Sequence, residues 1–424
     1  MKNFLDKILF RTNNLDYVSK NIRNLTIQTK SFKIFEAISN YSKFSEIRYV
    51  GGCLRKIITN EKIDDLDFAT NLEPRNVCEA LKSSNIKYYE TGLEHGTVSA
   101  IIDKNKYEIT TLREDISTDG RHAKVSFSKD WRIDALRRDF TFNSIYSDKK
   151  GNLFDPNNGK KDLENGLVNF IGDPEKRIKE DYLRILRYIR FYLYYSKHPH
   201  DFKIIKIIKM NIGGISKLSK ERLLNELRKI IRIQILEKLS ADKISLELLS
   251  IIFPELINLR LISKLKIHAN MNLDELDFTF LLSLMIIDGK DNVGYFLYKY
   301  NISKIDQNRI KNIDEFYNDK ILDKEFSENN MNNIFYFKGK QAVIDILNFK
   351  MIKSKKLDNR IKKLYEEFKN KTLPKMPIKA EELISKYNFL EGKKLGDKIK
   401  LIEKKWVNNN FKISDKQIED LVKN

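Results

Sequence analysis

The sequence predicts an α+β protein: a mixed α/β head followed by an elongated, all-α remainder. Three observations carry this. Short strand-like runs alternate with helical patterns over roughly the first third of the chain. Beyond about Gly166 the strand patterns stop and helical periodicity continues to the end. With 41% hydrophobic and 11% aromatic residues the chain is a folded one, and its 424 residues are too many for one ordinary core, which suggests two to four domains.

Taken in order, residues 1 to about 29 read as an extension of uncertain order. Ser31 to Lys43 has helical periodicity. Ile47 to Val50 reads as a strand running into Gly51-Gly52, and Leu66 to Ala69 as a second strand. Pro74 to Ser83 reads as a helix with proline in its first turn. Gly96 to Ile102 and Tyr107 to Thr111 read as strands, the second with strict alternation, and a helix follows from about Trp131. Glu175 to Tyr195 reads as one long helix. Lys220 to Leu239 reads as another, with Ser219 as its N-cap. Leu246 to Ile252, Leu273 to Ile287 and Asn292 to Tyr300 continue the helical pattern, and further helices are broken by Pro374, Pro377 and Gly392.

Net charge is +20 and the isoelectric point about 9.5, with a large share of the excess in the last 94 residues. A soluble protein this basic usually meets a polyanion, although a Lys-, Ile- and Asn-rich coding bias would also raise the charge. No run of about 18 apolar residues exists to span a bilayer. Met1 to Lys20 lacks the continuous apolar core of a secretory signal. Cys53 and Cys78 form no CxxC pair, and the five histidines supply no ligand spacing beside them, so no structural zinc is expected. Two cysteines in so long a chain fit a reducing cytoplasm.

Three constellations carry chemistry. In the first, Gly51-Gly52-x-x-Arg55 precedes Asp65-Leu66-Asp67. Glycines at a strand end let backbone N–H groups approach a phosphate, and Arg55 adds a charge-assisted donor. Aspartates two apart on a strand point to one side and repel unless a cation lies between them; oxygen ligands suit Mg²⁺. The plain alternative is a solvated turn. Glu108, alternating with apolar neighbours, either completes the acidic cluster or is an exposed strand residue. The second constellation is Arg137-Arg138-Asp139-x-x-x-Asn143, read as part of a helix that also carries Phe140 and Phe142. Its arginine forks suit triphosphate oxygens and Asp139 a ribose hydroxyl; an internal Arg138–Asp139 ion pair is the alternative. The third is Glu180-Asp181-x-x-Arg184-x-x-Arg187-x-x-Arg190. Asp181 and Arg184, three apart on one helix, share a face and can meet. They form either an ordinary surface ion pair or an acceptor–donor set matching the Watson–Crick edge of cytosine or adenine, which uracil and guanine would not satisfy.

In this order these stretches resemble the class II tRNA nucleotidyltransferase and bacterial poly(A) polymerase family. The resemblance is dense from about Val50 to Ile231, in VGGCLRK…DDLDFAT, HGTVSAIIDKNKYEITTLREDISTDGRHAKVSFSKDW, RRDFTFNSIYSD, FDPNNGKKDLENG, GDPEKRIKEDYLRILRYIRF and ERLLNELRKII. A weaker match, LEGKKLGDKIKLIEKKWVNNNF, resembles the tail of CCA-adding enzymes of the eukaryotic and alphaproteobacterial kind.

The resemblance implies a polymerase β-like nucleotidyltransferase head over 30–155, after an extension over 1–29. A helical neck over 156–235, a body over 236–330 and a tail over 331–424 would follow. It implies tRNA, gripped at its 3′ end and elbow, and CTP and ATP as partners, with no membrane. Gly51, Gly52 and Arg55 would contact nucleotide phosphates. Asp65 and Asp67 would bind Mg²⁺, with Glu108 as third catalytic carboxylate. Arg138, Asp139 and Asn143 would bind ribose and phosphate. Asp181 and Arg184 would read the base with Glu180 bracing them, and Arg187 and Arg190 would help hold the triphosphate. Tyr89 to His95 matches a flexible loop implicated in switching from C to A addition, and Gly159 a hinge. Lys56 departs from the Asp the family usually carries after the motif arginine. The GRRF-type segment usual in poly(A) polymerases is absent, and TDGRH at Thr118 to His122 resembles the CCA-adding branch. CCA addition or repair is therefore the leading expectation. CC-only or A-only addition, poly(A) synthesis and an inactive RNA-binding homologue are the alternatives.

Overall fold

The structure, a computed structural model, describes residues 17–118, 123–260, 276–318, 326–354, 358–387 and 390–423. It divides into two compact units, residues 1–226 and 227–424.

The first unit begins with helix α1 (residues 17–28), inside the stretch expected to be an extension. Val18 and Ile22 of α1 are buried, and Thr26 shares a hydrogen bond of 2.8 Å with the Tyr49 hydroxyl, which explains its order. Helix α2 (Phe32–Tyr41) follows, its Phe35 ring against Tyr49 and Phe68. Strand β1 (Ile47–Val50), helix α3 (Gly52–Ile58), strand β2 (Asp67–Thr70) and helix α4 (Pro74–Ser83) come next. Then come β3 (Lys87–Gly92), β4 (Thr97–Ile102), β5 (Asn105–Thr111), the hairpin β6 (Arg113–Thr118) and β7 (Ala123–Phe127), helix α5 (Trp131–Leu136), and short β8 (Tyr146–Ser147) and β9 (Leu153–Phe154). Most expected elements lie within two residues of where local patterning puts them.

A seven-stranded sheet runs β3-β4-β5-β2-β1-β8-β9, with β2 and β5 parallel and its other neighbours antiparallel. The parallel register sets Asp67 beside Glu108. Gly51, between β1 and α3, has φ +69°, a left-handed conformation that favours glycine. A side chain there would also meet the Asn143 carbonyl and the Arg138 guanidinium. The expected loop match at Tyr89 to His95 is the end of β3 and a 3₁₀ turn; most of TDGRH lies outside the described residues.

Helices α6 (Gly159–Asn165), α7 (Pro174–Glu180), α8 (Leu183–Tyr195), α9 (Phe202–Asn211) and α10 (Lys220–Ile230) follow. Two expectations fail here. The expected helix over 175–195 breaks at Asp181, whose backbone is extended (φ −152°, ψ 104°) and whose carboxylate caps the Leu183 N–H at 3.1 Å. The expected helix over 220–239 ends at Ile230 and restarts as α11 (Ile233–Ala241), with Arg232 extended between and Ile230 and Ile231 fully buried. Ser219 does cap α10, its hydroxyl accepting from the Arg222 N–H at 3.4 Å. The second unit is helical throughout its described residues, ending in a small core of Leu383, Leu395, Ile402 and Ile418. No described helix is long and apolar enough to cross a membrane.

Candidate active site

The RRDxxxN stretch is not helical. Helix α5 ends at Leu136, Asp139 caps the next N–H at 2.9 Å, Phe140 bridges to Phe170, and Thr141 to Asn143 form a 3₁₀ turn. The turn carries Asn143 to Arg55. The Arg55 guanidinium donates to the Asn143 carbonyl oxygen, and the Asn143 amide donates to Asp139 Oδ1 at 2.8 Å. Asp139 Oδ2 accepts from Arg187 at 2.5 Å. Residues from α3, the 3₁₀ turn and α8 thus form one buried chain of charge-assisted hydrogen bonds. Burial alone would raise the Asp139 carboxyl, but the Arg187 guanidinium and the Asn143 amide outweigh it and hold it down to about 2.

The alternative reading, an Arg138–Asp139 ion pair, is not what forms. Arg138 and Arg137 both bind Asp134, at 3.0 and 2.8 Å. Asp134 is 1% exposed and also accepts from the Tyr146 hydroxyl at 2.7 Å. Burial would raise its pKa, but the two guanidinium groups hold it well below the carboxylate range. Arg138 is thereby fixed beside Gly51.

Asp181 and Arg184 do not pair, because Asp181 lies outside both helices. Its Oδ2 accepts from Arg222 at 2.8 Å. Arg184 donates to Glu180 Oε2 at 2.6 Å and to the Arg177 carbonyl at 2.8 Å, so Glu180 does brace it. Arg190 donates to Glu226, one turn beyond Arg222 on α10.

Sequence reasoning missed six of these supports: Asp134, Arg177, Phe191, Tyr195, Arg222 and Glu226. The Phe191 ring lies beneath three guanidinium groups, those of Arg190 (4.0 Å), Arg55 (4.8 Å) and Arg187 (5.5 Å). Each such desolvated contact stabilises by up to about 2 kcal/mol. Tyr195 accepts from Arg55 Nε at 3.1 Å. Phe191 and Tyr195 lie four and eight residues beyond Arg187 on α8, a spacing that puts all three on one helix face. That was the one available signal.

The acids differ. Asp65 lies just before β2, and Asp67 opens it. No described residue hydrogen-bonds to either carboxylate. Asp67 is solvent-exposed, yet the protein around it, then Glu108 and Asp65, raise its pKa against Arg138 and Arg55. Glu108 binds Lys106 at 2.7 Å instead of closing a three-carboxylate cage. Among the described residues no three acid, His or Cys side chains converge closely enough to hold a metal. The departing Lys56 binds Asp64 at 2.6 Å and so ties α3 to the loop before Asp65.

Residues 47–169, from β1 to the segment after α6, match the family described as the poly A polymerase head domain. A stretch of 189 residues is 44% identical to the human and mouse proteins named CCA tRNA nucleotidyltransferase 1, mitochondrial, covering 44% of this chain and 44% of each relative. The CCA-adding enzyme of Lactobacillus helveticus is 35% identical over 187 residues, with 44% of this chain and 46% of that one covered. The matched stretch thus spans less than half the length of these curated relatives. Beyond the head domain the fold itself is shared. The Bacillus stearothermophilus CCA-adding enzyme in complex with CTP superimposes over 93% of this chain and 96% of that one, with TM-score 0.69 and 20% identity. The Thermotoga maritima CCA-adding enzyme complexed with tRNA does so over 93% and 94%, with TM-score 0.55 and 18% identity.

Proposed function

We propose that the chain is a tRNA nucleotidyltransferase that adds or repairs the 3′-terminal CCA from CTP and ATP without a nucleic-acid template. The observation that carries this reading is the buried network joining Arg55, Asn143, Asp139 and Arg187. It fixes a set of guanidinium groups beside two open acids, the arrangement that a triphosphate and a nucleotidyl transfer require. The names of the curated relatives, and solved structures of the same fold with CTP or tRNA, support these substrates over others.

In this reading the 3′-hydroxyl of tRNA attacks the α-phosphate and pyrophosphate leaves. Gly51, Gly52 and Arg55 meet the phosphates. Arg138, Asp139 and Asn143 orient ribose and phosphate, and Arg187 and Arg190 hold the triphosphate. Asp181 accepts from the exocyclic amine of cytosine or adenine while Arg184 donates to the adjacent ring nitrogen, and Glu180 braces Arg184. Asp65 and Asp67 fit a hard divalent cation, because their carboxylates repel one another and lack protein donors among the described residues; Glu108, in register beside Asp67, would join them on release from Lys106. We assign Mg²⁺. When bound, such an ion would activate the attacking hydroxyl and neutralise charge on the leaving group. The surplus of lysines and arginines suits a tRNA backbone, and the two free, buried cysteines suit the cytoplasm we propose.

The test is extension of a tRNA lacking its last three nucleotides, with CTP, ATP or both. Growth by two with CTP alone and by three with both, then a stop, is expected. A long ladder with ATP alone would make the chain a poly(A) polymerase. A stop at two with both nucleotides would mean a CC-adding enzyme. One A added only to tRNA already ending in CC would mean an A-adding enzyme. No product on either tRNA would favour an inactive RNA-binding homologue.

A further inference from the structure

We propose that Lys56, on α3, is a positioning residue for the metal-binding acids: by holding Asp64 it fixes the backbone that presents Asp65. The proposal rests on the cation-binding role given to Asp65 and Asp67 above. It assigns a task to a motif position at which this chain departs from the family it resembles.

Asp65 lies in a stretch with little of its own to fix it. Glu61 to Leu66 belong to neither helix nor strand, so no regular ladder of backbone hydrogen bonds sets their course. The near end is pinned at Glu61, whose N–H donates to the Lys56 carbonyl at 2.8 Å and whose carboxylate accepts from the Thr59 hydroxyl at 2.6 Å. The far end is pinned at Leu66, which is buried just before β2. Between them, Asp64 Oδ2 accepts from Lys56 Nζ at 2.6 Å. Asp65 is thus bracketed by a buried leucine on one side and a tethered aspartate on the other.

The tether starts from a firm base. Lys56 follows Arg55, which is buried and held by Asn143 and Tyr195. Neighbouring residues on a helix point about 100° apart, so α3 can hold a phosphate-binding arginine on one side and the acid loop on another. Charge favours the same arrangement. Asp64, Asp65 and Asp67 put three carboxylates in four residues. An untethered Asp64 would compete for the cation and add to the repulsion along the loop. The lysine cancels that charge in place, whereas the aspartate usual at this position in the family would repel Asp64. Lys56 and Asp64 are 24% and 57% exposed, so the pair adds little to stability and acts through geometry.

The experiment measures the dissociation constant of Mn²⁺, a paramagnetic stand-in for Mg²⁺, by EPR of the free ion with the full chain and no nucleotide. It compares the parent with Lys56→Met, Asp64→Asn, the two combined, the charge swap Lys56→Asp with Asp64→Lys, and Asp67→Ala. Positioning and plain charge predict opposite signs for Lys56→Met. Removing a nearby positive charge alone would tighten Mn²⁺ binding, whereas losing the tether weakens it. The Kd is expected to rise about three-fold in Lys56→Met and in Asp64→Asn alike, no further in the two combined, and to recover in the charge swap. CTP affinity in chelator, which depends on the arginines, should not move. Tighter Mn²⁺ binding in Lys56→Met overturns the proposal, as does a charge swap no better than the single variants. A fall in CTP affinity in step with Mn²⁺ would mean general damage to the site and overturns it too. If Asp67→Ala weakens Mn²⁺ binding and Lys56→Met leaves it unchanged, only the role of Lys56 fails. If neither changes it, the cation-binding reading of the acids fails beneath it.

Discussion

The arginines and the acids of the candidate site are built in opposite ways. Arg55, Arg138, Arg184, Arg187 and Arg190 are each held by a named partner: Asn143, Asp134, Glu180, Asp139 and Glu226. Asp65 and Asp67 have no such partner among the described residues, and although Asp67 is exposed, the protein around it and its acidic neighbours raise its pKa. A guanidinium fixed in advance costs no reorganisation when a triphosphate arrives. A crowded pair of carboxylates does the reverse: it carries a repulsion that only a cation relieves. On the function proposed above, the arginines would therefore serve binding and the acids the chemical step.

The sharpest way to break this division is Asp67→Ala. Transfer should fall by about 10³-fold or more, as expected when a metal-binding carboxylate is lost, while thermal stability changes little because the residue is exposed. Transfer at the parent rate would remove Asp67 from the chemistry. Arg55→Lys should act differently. It keeps the charge but loses the fork and the contact with Phe191, so kcat/KM should fall about 10²-fold, equally for CTP and ATP. An effect on one nucleotide only would mean that Arg55 reads the base.

Asp139→Asn probes how much the arginine side depends on its own buried acid. The folded-state pKa of Asp139 is held down to about 2, against about 3.9 in an unfolded chain. Its contribution is therefore fully present above about pH 4 and is lost as pH falls through about 2. Urea titrations should show Asp139→Asn less stable than the parent at pH 7 by on the order of 2 kcal/mol, with the gap closing toward pH 2. A gap that persists unchanged at pH 2 would mean the loss is one of packing. Tyr195→Phe is the mildest change. It removes the hydroxyl that accepts from Arg55 and keeps the ring, so KM for both nucleotides should rise about three- to five-fold with kcat nearly unchanged.

The parts of the fold written in local pattern were legible in the sequence. The head strands follow from alternation, α4 from its proline, and Gly51 from the turn it makes. What failed depended on partners far along the chain. Helical periodicity runs straight through Asp181, and nothing local announces that its carboxylate will cap Leu183 and meet Arg222. RRDxxxN looked helical because its aromatic spacing fits a helix, yet Phe140 is drawn out of α5 to bridge Phe170. The ligand-facing residues carry chemistry that can be named from residue type. Their supports, Asp134, Tyr195 and Glu226, look like ordinary acids and aromatics until the fold brings them to an arginine.

The most direct test of the division between arginines and acids is the affinity of the purified protein for ATP, and its transfer to a tRNA ending in CC, each measured with Mg²⁺ and with excess chelator. Prebuilt arginines predict that ATP still binds in chelator, within about ten-fold of its affinity with Mg²⁺, while transfer disappears. Loss of ATP binding in chelator, or transfer that continues there, would contradict it.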